Sequence, residues 1–249
     1  MKLYFYIKKI VYAFLPKKII QKNEEKLRYI HAKLFYRGKS HQCNICTKQF
    51  STFIILDNGD SVCPYCGSLP RNRRLWQILQ DQELLKGNIL HFSPARSIYR
   101  KLKKQKTIKY TSTDFADEFL ADEKLDITNI SSPSNYYDLI LCYHVLEHVE
   151  KDYLAISELY RVLKSGGIVL IQTPFKEGEI YEDFTIKSPQ ERLKHFGQED
   201  HVRVYSVEGL RERLRKVGLQ VKTLHFKNPS SKTGLRREER VILAKKPFS

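Results

Sequence analysis

Tyr136-Tyr137-Asp138-Leu139-Ile140-Leu141-Cys142-Tyr143-His144-Val145-Leu146-Glu147-His148-Val149-Glu150 is the stretch on which the reading of this chain turns. Leu139 to Tyr143 is an apolar run of the length and composition of a fully buried strand. The sequence turns polar at His144 and takes up a helical pattern near Lys151. A buried strand that feeds a helix ends at the rim of a doubly wound sheet, where such sheets bind ligands.

Working outward, Asn88 to Phe92 reads as a first strand, followed by Ser93-Pro94-Ala95-Arg96-Ser97 and a basic helix to Lys104. Ile108 to Asp114 reads as a second strand ending in an acid, and Lys124 to Thr128 as a short third. Lys151 to Lys164 is an amphipathic helix with Leu154, Ile156, Leu159 and Leu163 inward, closed by Ser165-Gly166-Gly167. Ile168 to Gln172 is a further buried strand. A last helix, Val207 to Val217, precedes strands at Leu219 to Phe226 and Arg240 to Lys245. Before the sheet, residues 71–86 repeat Leu75, Ile78, Leu79 and Leu85 at helical spacing and stop at Gly87.

Two segments carry a family resemblance. Asp138-Leu139-Ile140 with His144-Val145-Leu146-Glu147-His148-Val149 resembles the fourth strand of class I S-adenosylmethionine-dependent methyltransferases of the type 11-like kind. Arg161-Val162-Leu163-Lys164-Ser165-Gly166-Gly167 resembles their turn into the fifth strand. The resemblance covers residues 88–246. It implies an α/β, Rossmann-like sheet of seven strands, the last two antiparallel, with S-adenosylmethionine as cofactor.

The resemblance also implies a cofactor site. Most of the family has a glycine-rich loop after the first strand, which lets backbone approach the ligand; this chain has no glycine between Gly87 and Gly166. Its His91-Phe92-Ser93-Pro94 resembles the His-Phe-x-Pro loop of a subset of the family. Asp114, 22 residues after Phe92, takes the place of the acid that meets ribose hydroxyls. Asp126 and Ile127 correspond to the motif that meets adenine. Cys142, Tyr143 and His148 complete the expected set at the fourth strand's tip, with buried packing the competing role for Cys142 and helix packing or capping that for Glu147 and His148.

Four of the five cysteines form two pairs, Cys43-Asn44-Ile45-Cys46 and Cys63-Pro64-Tyr65-Cys66. Phe50 to Val62, turning at Asp57-Asn58-Gly59-Asp60, reads as the hairpin that brings the pairs together. Four thiolates make a closed tetrahedral zinc site, structural rather than catalytic because no position is left for water. Such thiol usage fits a reducing compartment. The expected organisation is a basic, aromatic helical segment over 1–40, a zinc-ribbon-like module over 41–70 and the enzymatic domain over 71–249, with a substrate-side insertion at 174–205.

Residues 1–40 carry 11 Lys and Arg against two Glu, and residues 211–249 carry 12 against three, so both ends are strongly positive. That charge fits an anionic partner, acidic lipid or nucleic acid, or a solubilising excess. Leu3 to Leu15 is too short and interrupted to span a membrane and lacks a signal-peptide cleavage site. As a helix, residues 1–20 can lie on an anionic membrane surface or pack on the protein itself. The expectation is a cytoplasmic enzyme, peripheral to the membrane's inner face.

The insertion carries His195, Asp200 and His201, and His144 follows the fourth strand. A hydroxyl acceptor needs a base near neutral pH, the natural task of histidine. These four residues are the candidates for catalysis. The strand-four tip reads Cys-Tyr-His-Val, unlike the Asn or Asp followed by Pro-Pro of enzymes that methylate base amines. The expected acceptor is a small molecule, sugar or lipid-linked glycan methylated on oxygen. RNA is the alternative substrate, and a non-catalytic scaffold the alternative class.

Overall fold

A computed structural model describes residues 17–248, with side chains from Asn23 onward. The expected amphipathic segment Leu3 to Leu15 lies outside them. The chain forms two compact units, each assembled from separate stretches of sequence.

Among the described residues, the first unit takes 17–77, 96–101 and 229–236. After helix α1 (Lys17–Phe35), strand β1 (His41–Gln42) pairs antiparallel with β2 (Gln49–Phe50), and β3 (Ile54–Ile55) with β4 (Ser61–Val62). The expected hairpin is therefore the β3–β4 pair, closed by Gly59 at φ 79°. Each cysteine pair makes the same turn: Thr47 N donates to Cys43 O at 2.8 Å and Gly67 N to Cys63 O at 2.9 Å. Both turns end in a left-handed residue, Thr47 at φ 61° and Gly67 at φ 72°. From helix α2 (Pro70–Asp81), the fully buried Arg73 donates to Ser61 O, Ser68 O and Gly234 O and lies 4.5 Å over the Phe53 ring. One guanidinium thus satisfies carbonyls of the hairpin, the second cysteine turn and the returning loop.

In the second unit, β5 (Gly87–Phe92), α3 (Arg96–Lys103), whose first six residues belong to the first unit, and β6 (Ile108–Thr113) precede β7 (Tyr137–Tyr143). A 3-10 turn at Leu146–His148 leads to α4 (Asp152–Val162) and β8 (Leu163–Gln172). The insertion then forms β9 (Phe175–Lys176), β10 (Tyr181–Glu182), α5 (Pro189–Phe196) and β11 (Arg203–Ser206), whose three strands make a small sheet. Helix α6 (Val207–Lys216), β12 (Gln220–Phe226) and β13 (Glu239–Lys245) finish the fold.

The main sheet runs β12-β13-β8-β7-β5-β6; β8, β7, β5 and β6 are parallel, β13 is antiparallel to β8, and β12, antiparallel to β13, runs with the others. It has six strands where seven were expected. The missing one is Lys124 to Thr128, which forms no strand; Glu123, just before it, makes a single parallel bridge to Thr113. There Asp126 Oδ1 accepts from both the amide and the hydroxyl of Thr128 at 2.8 Å, and Asn129 N donates to Asp126 O. That local turn takes the groups a ladder would need.

One sheet face presents Leu90, Phe92, Ile140, Cys142, Val169, Ile171, Ile242 and Ala244 to α4 and α6, which supply Ala155, Ile156, Leu159, Leu210 and Leu214. Period-two alternation puts Ile89, His91, Leu139, Leu141 and Leu170 on the other face, also buried. His91 Nδ1 lies 3.0 Å from Tyr110 Oη on the adjacent strand, and burial pushes its imidazole down from 6.5 to about 3. Above pH 6.5 the group is neutral folded or unfolded. Below it the unfolded chain takes up the proton first, so stability falls by up to about 1.4 kcal/mol per pH unit towards pH 3. Urea unfolding between pH 7 and 5 should therefore show a steeper loss in the wild type than in His91→Gln; parallel slopes would contradict it.

Candidate active site

Strand order reverses between β5 and β7, with β6 outside one and β8 outside the other. Ligands of open α/β sheets bind at the carboxyl ends of the strands at such a reversal. Register aligns Thr113, Phe92, Cys142 and Ile171 in one row, with Tyr143 opposite Gln172 in the next. The chain leaves β5 at Ser93, φ 44°, and β7 at His144, φ 54°, two non-glycine residues in the left-handed region on the two sides of the reversal.

Ser93 N donates to Thr113 O, and Ser93 Oγ donates to Asp114 Oδ1 at 2.7 Å. Asp114 Oδ2 accepts from the amides of Glu118 and Phe119. The Asp114 carboxylate is thus buried and fixed, with three of its roughly four acceptor positions filled and one left for a ligand hydroxyl. Among the other expected cofactor residues, His91 is turned to Tyr110, Phe92 and Cys142 lie in the core, Asp126 is exposed in its own turn and Ile127 is buried. Burial pushes the Cys142 thiol and the Tyr143 phenol up, so both stay protonated. Pro94 is buried in the loop after Ser93.

Buried polar atoms without a protein partner gather at this rim: Thr113 Oγ1, Tyr143 Oη, His144 Nε2, Glu147 Oε2, Gln172 Oε1, Thr173 Oγ1 and His201 Nε2. Left unpaired, such atoms cost about 1 to 3 kcal/mol each, so their concentration is the mark of a polar ligand site.

Four of the expected residues meet there. His144 Nδ1 lies 3.2 Å from Glu147 Oε1, and His148 Nδ1 lies 3.0 Å from Asp200 Oδ2. The His148 and His201 rings meet edge to face at 4.7 Å, and His201 Nδ1 is 3.3 Å from Phe196 O. Burial pushes the His201 imidazole down. Burial would push the Glu147 carboxyl up, but His144 beside it holds it below its ordinary value. His195 stands apart: it is exposed, with Nδ1 2.7 Å from Tyr181 Oη.

Arg203 holds this arrangement. Fully buried, it donates to Leu146 O, Val149 O and Glu150 O, while Val202 N donates to Glu147 O. Its Nε donates to Glu182 at 2.8 Å, Arg213 bridges Glu182 and Asp152, and Tyr205 Oη donates to Asp152. Burial would push the Glu182 carboxyl up, yet Arg213 and Arg203 outweigh it and hold it down. Sequence reading gave no role to Arg203. The alternation Val202-Arg203-Val204-Tyr205 carries a usable signal, because it places an arginine on the same strand face as a buried tyrosine.

In the first unit, the four cysteine sulfurs lie within 4.8 Å of one another, with Cys43 to Cys66 at 3.7 Å and Cys46 to Cys63 at 3.8 Å. None forms a disulfide. Thiolates about 2.3 Å from a shared tetrahedral ion stand about 3.8 Å apart, so this set fits a metal.

A doubly wound sheet with one reversed strand, β13, next to its end and a polar rim at the strand-order reversal has the architecture of the class I methyltransferases. The chain matches the model of the family described as "Methyltransferase domain" over residues 57–224. It belongs to that methyltransferase family. Protein MJ0638 of Methanocaldococcus jannaschii is 35% identical over 86 residues, 32% of this chain and 37% of the archaeal protein, so the chain spans little more than a third of that relative's length. Among solved structures, a SAM-dependent methyltransferase from Archaeoglobus fulgidus aligns with a TM-score of 0.53 and 17% identity, over 72% of this chain and 95% of that one. YcgJ of Bacillus subtilis gives 0.50 and 13%, over 72% and 100%. The [4+2]-cyclase SpnF gives 0.50 and 15%, over 71% and 82%. These three likenesses show the fold alone.

Removing Arg203 would take a donor from three carbonyls and leave Glu182 to Arg213 alone. We expect Arg203→Ala to lose about 3 kcal/mol or more in urea unfolding. Arg203→Lys should recover only part of it, since an ammonium cannot match the planar fork; full recovery by lysine would show that charge alone matters.

Proposed function

We propose that this methyltransferase acts on oxygen, with a small-molecule, sugar or lipid-linked glycan hydroxyl as acceptor. The observation that carries this reading is the polar rim itself, in which His144, backed by a buried carboxylate, sits at the exit of β7 beside unpartnered hydroxyl and amide groups. When bound, S-adenosylmethionine supplies an electrophilic methyl carbon. Ser93, Pro94, Asp114 and Tyr143 hold the donor at the strand tips. Because methyl transfer is a direct displacement, the protein's main task is alignment. As the acceptor oxygen displaces the donor's sulfur from the methyl carbon, His144 takes the hydroxyl proton and Glu147 Oε1 steadies the imidazolium. Asp200 orients His148, and His195, exposed on the insertion, is a contact for the acceptor's distal part rather than the base.

The four cysteines hold a structural zinc, which fixes the first unit and takes no part in transfer. Five unpaired thiols suit a reducing compartment. No helix among the described residues is long and apolar enough to cross a membrane. In this reading residues 1–20 bring the enzyme to an anionic membrane surface.

Calorimetric titration with S-adenosylhomocysteine should show binding to the wild type, weaker binding to Asp114→Asn, and binding unchanged for His144→Asn, which no longer transfers methyl. Radiolabelled methyl should enter a lipid or saccharide fraction of a cell extract. Label in RNA, with retention falling steeply with salt, would favour the nucleic-acid reading, and no binding would leave a scaffold. Cys43→Ser should lose the sulfur-to-metal charge-transfer band of the Co2+-loaded protein and unfold the first unit at lower urea.

A further inference from the structure

Glu147, His148 and His201 bring one carboxylate oxygen and two imidazole nitrogens within 4.8 Å of one another. Their hydrogen bonds decide which atoms are offered. His201 Nδ1 faces Phe196 O, a carbonyl that can only accept, so Nδ1 carries the proton and Nε2 presents a lone pair, buried and without a partner. His148 Nδ1 faces the Asp200 carboxylate, which places its proton there too and leaves Nε2 as the donor atom. Glu147 is 1% exposed; Oε1 faces His144, and Oε2 has no partner. Metal-ligating histidines almost always give their other ring N–H to a carboxylate or backbone carbonyl, and both do so here.

Packing alone explains the edge-to-face rings. It does not explain a buried carboxylate oxygen and a buried imidazole nitrogen, both acceptors and both unpaired, on residues whose ligand atoms lie within 4.8 Å of one another. Two acceptors cannot satisfy each other, whereas a cation satisfies both and offsets the cost of burying the carboxylate. His148, half-buried, leaves the group open on one side.

We propose that Glu147, His148 and His201 form a second metal site, separate from the cysteine cluster, which takes a first-row divalent ion such as Zn2+, Fe2+, Mn2+ or Co2+ and keeps coordination positions open for an oxygen donor. Two imidazoles with one carboxylate favour these ions over Mg2+ and Ca2+, which prefer oxygen ligands throughout. Donor atoms about 2 Å from a shared ion stand up to about 4 Å apart, so small side-chain rotations close the set. Assigning the open positions to the acceptor's hydroxyl rests on the oxygen-methylation reading above; the site itself does not.

The test is Co2+ titration of the full-length protein in a chelator buffer, with no methyl donor present. The wild type should bind two equivalents, one with an intense sulfur-to-metal charge-transfer band and one with weak visible bands only. Glu147→Gln and His148→Gln should each lose the second equivalent and keep the first, which also reports that the chain is folded. Asp200→Asn should weaken the second equivalent about 10- to 100-fold. Acetohydroxamate, a bidentate oxygen donor, should shift the weak bands of the wild type. A single equivalent in the wild type, or a second equivalent unchanged in both ligand variants, overturns the site. Bands that ignore acetohydroxamate overturn the open positions. A protein that binds two Co2+ but no S-adenosylhomocysteine would refute the methyl-transfer reading and leave the site standing.

Discussion

The second unit depends on burying one positive charge. Arg203 has no access to water, and its guanidinium is satisfied by three carbonyls of the turn after β7 and by Glu182. A buried guanidinium left unpaired would be prohibitive, so the turn can adopt only the path that feeds those hydrogen bonds. That path carries Glu147 and His148, and the strand that carries Arg203 follows directly on His201. Asp152, Tyr205 and Arg213 extend the same network to the start of α4 and to α6. The side chains at the rim are therefore held by elements far apart in sequence, through a single ion-centred knot.

The first unit solves a similar problem with other means. Its strands are only two residues long, too short to form a stable sheet alone. The cysteine cluster joins its two cysteine turns, and Arg73 joins the hairpin, the second cysteine turn and the 229–236 loop. That loop lies far along the chain between β12 and β13, so its membership of this unit had no local signal.

Much of the main sheet was legible because buried parallel strands are continuous apolar runs, and Leu139 to Tyr143 and Ile168 to Gln172 are such runs. The end of α6 was legible from Gly218, whereas α2 stops at Asp81, short of Gly87, and β8 already begins at Leu163 with Gly166 and Gly167 inside it. The third strand was not, because Asp126 and Thr128 form a turn whose hydrogen bonds outcompete an edge ladder. At the site, the histidines could be named, but not their grouping. His195 and His201 are six residues apart, and only the bend after α5 separates the exposed one from the buried one. For Glu147 the sequence left packing or capping open beside cofactor contact; the chain makes a single 3-10 turn there and buries the carboxylate.

The first loop has a serine where a glycine would be expected, held at φ 44° by its own hydroxyl bond to Asp114. A glycine there would remove the torsional strain and also the tether, freeing loop and acid to move independently. By accepting the strain, the chain spends conformational entropy at folding instead of at ligand capture. Any ligand that enters this edge meets an acid already locked in orientation, at the expense of a loop less able to adapt to ligands of different shape.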